Sequence, residues 1–367
     1  RSFYVLDDYS PLRDIKPDLD IKAKIFPIKD ALMYVDARPL GLRGKGSQGE
    51  SLYNAENPPL GTVITYYLND TLRTKKQIRR IAEKTKIKNN QDVKYPSLEN
   101  LREEDREEKP YLLFTIYDRN ENEIRKMIEK PKLGVHRVVW DFRLTPQSNI
   151  TLKSSEPGRY GEAKSGPLAL PGKYYVSMHK VENGVASLLV DKTPFNCNWL
   201  DQLSTPASDK NELLAFQQKV DRLRKAVGAS GEVISQDKKR IDFIKSAFKT
   251  YPGLDVSYLK KLNEIEKQRD DIHIKLYGDP SLSNRDIEQK EGISSRVGII
   301  IWNMWRNRSN PTLTNKMLYE SASEMFEQAV KELQKLDENI KVIESYLEEN
   351  EVPFTPGRGL IMNWNKE

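Results

Sequence analysis

The chain has one cysteine, Cys197, so it can form no disulfide within itself. Its three histidines, His136, His179 and His273, lie far from each other and from that cysteine, which argues against the closely spaced ligand pairs of a zinc site. No run of 18 apolar residues exists, and this excludes a membrane-spanning helix. The motifs of common chemistries are missing as well: there is no G-x-S-x-G, no phosphate loop and no G-x-G-x-x-G. Gly41-Leu42-Arg43-Gly44-Lys45-Gly46 is rich in glycine but lacks strand–loop–helix spacing, and reads as a loop. Disorder is excluded too, because 37% of the 367 residues are apolar, enough for real cores at a length that suggests two or three domains. Charged residues reach 31%, with 60 Lys plus Arg against 54 Asp plus Glu and a net charge of +6.

The pattern changes near residue 200. Before it, Leu112, Phe114 and Ile116 alternate with Leu113, Thr115 and Tyr117. Val138, Trp140 and Phe142 alternate with Arg137, Val139 and Asp141, and Tyr174, Val176 and Met178 with Tyr175, Ser177 and His179. Period two in β-branched and aromatic residues predicts half-buried strands. Turn signals stand between them at Asp118 to Asn122, Pro171-Gly172 and Asn183-Gly184. Short strands at this spacing predict an antiparallel β-sandwich.

After residue 208 the period becomes helical. Leu213, Val220, Val227, Ile234, Ile241 and Phe248 fall seven apart, with Phe216, Leu223 and Ile244 interleaved and Ser230 and Asp237 as polar interruptions. The phase survives Gly228 and Gly231, which predicts one long helix, weakened by about 1 kcal/mol per glycine. A second helix carries Tyr258, Leu262, Ile265, Ile272 and Leu276 and stops at Gly278-Asp279-Pro280; a shorter one runs near Ser294 to Trp305. Ala322, Ala329, Leu336 and Ile343, with Phe326, Leu333, Ile340 and Leu347, mark a last long helix that ends before Pro353. Together these predict an antiparallel bundle of long helices over 205–350, with 351–367 as a tail.

An insertion at 71–109 interrupts the strands. Residues 73–88 hold eight cations against Glu83 alone, and residues 99–108 hold six carboxylates against Arg102 and Arg106. A basic helix followed by an acidic one predicts mutual pairing across the Tyr95-Pro96 turn. Contact with an anionic partner is the alternative. The basic stretch lacks interleaved aromatics and any nucleic-acid motif, so nucleic acid is not expected.

Other constellations have plainer explanations. Asp118, Asn120, Asn122 and Glu129 echo a calcium loop, but Glu123 stands where the turn needs glycine. Asp7, Asp8 and Asp141 are carboxylates without a visible partner for acid–base work, and a surface ion pair accounts for Asp141. Trp302 and Trp305, three apart beside Ile299 to Ile301, suit a core or interface better than a sugar platform. No catalytic, cofactor-binding or metal-binding residue is assigned, and no cofactor is expected.

Three sets of motifs resemble one family. Asn57-Pro58-Pro59-Leu60-Gly61-Thr62-Val63-Ile64-Thr65-Tyr66-Tyr67-Leu68 resembles the segment that follows the propeller in bacterial sortilin-like, BNR-repeat proteins, often labelled glycosyl hydrolases. Gly134 to Arg143 and Gly166 to Val176 resemble that family's immunoglobulin-like domain. Ser294-Ser295-Arg296-Val297 and Thr355-Pro356-Gly357-Arg358 resemble its C-terminal helical part. The family's propeller boxes, of the Ser-x-Asp-x-Gly-x-x-Trp type, do not occur.

The resemblance implies that residues 1–30 are a propeller remnant and linker, with Ser2 to Asp8 as its closing strand. An Ig-like β-sandwich then spans 31–200. It also implies a secreted or cell-envelope location and a non-catalytic role in protein or glycan binding and in packing on the absent propeller. By the same resemblance the parent protein is a possible glycoside hydrolase. The alternatives are completion of a propeller glycosidase's active site from the side, and an envelope assembly or secretion partner held by the long helices.

Overall fold

A computed structural model describes residues 8–15, 21–34, 58–150, 166–200, 205–305 and 307–359. All but Asp8 of the expected closing strand at Ser2 to Asp8, the loop at Gly41 to Gly46 and the last eight residues lie outside them. The chain divides into two compact units, Arg1–Thr145 with Leu168–Ser204, and Pro146–Pro167 with Thr205–Glu367.

The first unit opens with a short helix, α1 (Ser10–Arg13), and is otherwise mostly β-structure. Strands β1 (Ala23–Ile25), β3 (Thr62–Leu68) and β6 (Gly134–Trp140) form an antiparallel sheet in the order β1-β3-β6. Strands β2 (Ala31–Met33), β4 (Tyr111–Tyr117), β5 (Glu123–Glu129), β7 (Gly172–Glu182) and β8 (Val185–Trp199) form a second, in the order β2-β8-β7-β4-β5. One pair departs from the all-antiparallel expectation: β2 runs parallel to β8, with Ala31 opposite Cys197. The five-stranded sheet curls into a half-barrel, and β7–β8 carries register shifts at Met178 that bend the ladder.

Both sheets contribute to one core. Ile64, Tyr66, Val138 and Trp140 come from the first, and Leu112, Phe114, Ile116, Tyr174, Val176, Met178 and Phe195 from the second. Of these, the period-two reading placed Leu112, Phe114, Ile116, Val138, Trp140, Tyr174, Val176 and Met178 inward, but Thr115, Tyr117 and Ser177, read as the opposite face, are buried as well. Trp140 is fully buried, meets Phe142, Tyr174 and Phe195 edge-on, and donates its ring N–H to the Arg143 carbonyl. Gly61 fixes the entry to β3. Its φ is +146°, and a Cβ there would lie 2.3 Å from the Trp140 carbonyl oxygen.

The second unit is helical. It contains α4 (Lys210–Thr250), α5 (Tyr258–Tyr277), α6 (Pro280–Ser283), α7 (Ile293–Met304) and α8 (Leu313–Glu349). Asp209 caps α4 through its side chain, and Thr312 caps α8. All six heptad positions from Leu213 to Phe248 are buried, as are Ala322, Ala329, Leu333, Leu336, Ile340, Ile343 and Leu347 of α8. They share a core with Leu262, Ile265, Ile272 and Leu276 of α5 and with Val297, Ile300 and Ile301 of α7.

The two glycines inside α4 are places of close approach. A Cβ on Gly231 would lie 1.8 Å from the Tyr277 hydroxyl, and Asn149 donates to the Gly228 carbonyl at 2.9 Å. The tail also docks on this unit. Arg358 donates to the carbonyls of Val352 and Pro353 beyond α8, and Gly357, at φ +103°, leaves no room for a Cβ beside Glu344 and Arg240.

Candidate interaction site

The connection from β3 to β4 leaves one sheet and enters the other, and it carries two helices, α2 (Lys75–Lys88) and α3 (Leu98–Arg106). Local signals set both. Thr74 and Gln77 form a reciprocal capping box at the start of α2, and Ser97 caps α3 by accepting from the Asn100 N–H. Asn90, at φ 53°, takes the left-handed conformation just past α2. A 14-residue helix is marginal by itself, and no residue of α2 is buried.

The insertion's opposite charges pair, as its sequence predicts. Arg79 holds Glu104 in a fork, with Nε to Oε1 at 2.6 Å and Nη2 to Oε2 at 2.7 Å, and also reaches Glu83. Lys75 Nζ meets Glu103 at 2.7 Å, its backbone N–H donates to Glu107, and Lys76 lies 3.5 Å from Asp105. Glu104 is the buried residue of α3. These bonds hold the Glu103 and Glu104 carboxyls below their usual range.

The pairing sorts the arm's charge. At about 100° per residue, Lys75, Lys76, Arg79 and Glu83 occupy the face of α2 that meets α3. Arg80, Lys84 and Lys88 follow one another at four-residue steps on a second face, and all three are exposed. Among the described residues they form no ion pair. Ile78, Ile81, Ala82 and Thr85 make a third, apolar face, with Ile78 57% and Ile81 49% exposed. On α3, Arg102 and Arg106 are likewise exposed and outside any ion pair among the described residues. Glu103, Glu104, Asp105 and Glu107 are thus used between the helices, while Arg80, Lys84, Lys88 and the isoleucines face outward and Glu99 and Glu108 are also exposed. Such a surface can bind by charge and apolar contact.

The other sequence candidates are engaged in structure. Asp118 accepts from the Asn120 and Asn122 backbone and from the Asn122 side chain, and so spends its oxygens on its own turn. Asp141 accepts from the Arg143 backbone and lies 4.0 Å from Arg125. Asp8 caps Ser10, whose hydroxyl lowers its pKa. Trp305 is buried and Trp302 is 45% exposed, so the pair does not form a joint platform. Cys197 is buried against the Thr62 hydroxyl, and burial pushes its thiol up to about 11. Among the described residues no group of three or more His, Cys, Asp or Glu side chains could hold a metal ion.

One cluster escaped sequence reasoning. Arg240 on α4 donates to Asp237 and Asp337 at 2.8 Å each, and grips Glu344 through Nε and Nη2 at 3.0 and 2.8 Å. Asp237, which reads in sequence as a mere polar interruption of the seam, is 2% exposed. Burial raises its pKa despite the guanidinium beside it. Arg240's other partners, Asp337 and Glu344, lie about a hundred residues away, so no local pattern could reveal them.

No family model matches the chain, and no curated protein matches it.

Proposed function

We propose that this chain is a non-catalytic binding region whose contact surface is the α2–α3 arm. It would be the accessory part of a secreted or cell-envelope protein of the sortilin-like BNR-propeller type, built as an Ig-like β-sandwich followed by a long-helix bundle. The observation that carries the binding role is the arm's construction. It pairs Glu103, Glu104 and Asp105 internally, buries no residue of α2, and presents cations and isoleucines to solvent.

Features of the motifs support the family reading. Tyr174 donates its hydroxyl to the Leu170 carbonyl beside the buried Trp140, an arrangement like the tyrosine corner of Ig-type sandwiches. Gly61, Gly357 and Arg358 of the quoted motifs each occupy a position with a steric or hydrogen-bonding demand.

The test compares the full chain with a version in which residues 71–109 are replaced by a Gly-Ser linker, on protein and glycan arrays and against mixed glycan substrates. Arm-dependent binding without turnover is the expected result. Equal binding by both proteins, or turnover of a glycan, would overturn the reading.

A further inference from the structure

Resting on the reading of the arm as a binding surface, we infer that its partner is an acidic amphipathic helix of another protein, laid along α2 beside α3. Helix α3 is itself one example of what α2 accepts. Helix α3 offers Glu103, Glu104 and Asp105, and α2 meets them with Lys75, Arg79 and Lys76. The face carrying Arg80, Lys84 and Lys88 presents three more cations, at four-residue steps, that form no ion pair among the described residues. A helix with carboxylates every fourth residue matches that ridge rung for rung. Charge-assisted pairs of this kind set orientation and speed encounter.

The apolar face narrows the choice. Ile81 borders the cationic ridge and Ile78 continues the apolar face beyond it, so a partner must bring apolar side chains next to its acids, the arrangement of an amphipathic helix. A polyanion such as heparin or single-stranded nucleic acid would satisfy the lysines and leave the isoleucines wet. The ridge also has no aromatic on which a base could stack. An anionic bilayer fits less well, because Glu99 on α3 and Glu108 just past its end are exposed and would face lipid of their own sign.

The test uses the full chain and two capped 18-residue helical peptides of equal composition. In one, glutamates recur every fourth residue beside a leucine stripe; in the other, the same leucines are dispersed around the helix. Binding is measured by fluorescence anisotropy, in parallel with phosphatidylserine/phosphatidylcholine vesicles and heparin. The striped peptide should bind more tightly than the dispersed one, and its affinity should fall steeply as salt rises. The pair K84E/K88E should lower that affinity about tenfold or more, and Ile81→Ser should erase the preference for the striped peptide. Neither change touches a buried residue, and unchanged circular dichroism confirms that α2 remains folded.

Arm-dependent binding of vesicles or heparin in preference to the striped peptide would overturn this inference and leave the arm as a binding surface. Equal affinity for the two peptides would do the same. Peptide binding that persists after residues 71–109 are replaced, or no binding of any probe, would overturn the reading on which it rests.

Discussion

Helices α2 and α4 are both rich in charge, yet they hold it in opposite ways. Helix α4 buries eleven of its residues and encloses Asp237 and Asp221 among them. Helix α2 buries none and settles its charges in the open against α3. Similar ion pairs therefore have different weights. Exposed pairs contribute roughly 0–1 kcal/mol each, whereas removing one partner of a buried pair costs about 3–5 kcal/mol. The core unit uses charge to fix where helices meet, and the arm uses it to fold back on itself while leaving a surface unspent.

That contrast can be broken most forcefully in the core. Ile340 is fully buried on α8, and Ile340→Ala should cost about 2–5 kcal/mol. Trp140→Ala in the first unit should cost about 3–5 kcal/mol. Chemical denaturation monitored by circular dichroism and tryptophan fluorescence reads both, and a loss below 1 kcal/mol at either site, on the scale of an exposed substitution, would mean that the position is not a true core site.

Arg240→Ala comes next, at about 3 kcal/mol or more, because it strands Asp237, Asp337 and Glu344 together. The same cluster gives a pH test. Burial raises the Asp237 pKa above its ordinary 3.8. Its contribution to stability is therefore complete below that value and is lost as pH rises through the higher folded value. Asp237→Asn removes this dependence, so the Tm of the variant minus that of the parent should increase with pH above 3.8. A constant difference would show that the carboxyl titrates alike in the folded and unfolded chains.

Smaller effects sharpen the comparison. Helix propensity alone would make Gly231→Ala stabilising by about 1 kcal/mol, but the new Cβ meets the Tyr277 hydroxyl. The gain should be absent in the parent and recovered in a Tyr277→Phe background, as a double-mutant cycle would reveal. The smallest effect belongs to the arm: K84E/K88E should shift global stability by no more than about 0.5 kcal/mol.

The heptads of α4 and α8 were legible because burial repeats with the helical period, and a run such as Leu213 to Phe248 exposes that repeat directly. The strands around Phe114, Trp140 and Val176 were legible for the analogous reason at period two. The three-residue strands β1 and β2 were not, since so short a segment has no period, and the parallel pairing of β2 with β8 joins residues more than 160 apart. The glycines of α4 looked like weak points in the sequence because Tyr277 and Asn149 are remote from them. The arm's pairing was readable from charge blocks only 28 residues apart, but its sorting of cations outward depended on which face α3 covers.

The crossing between the two sheets has a consequence for how this protein can change over time. Because α2 and α3 hang from a connection and contribute just Glu104 to any buried set, selection on folding barely constrains their sequence. Residues 71–109 form a cassette that lineages can retune, exchange or lose without rebuilding the scaffold. Among relatives, this stretch should diverge in length and charge faster than the strands that bracket it, and grafted onto another sheet crossover it should carry its specificity along.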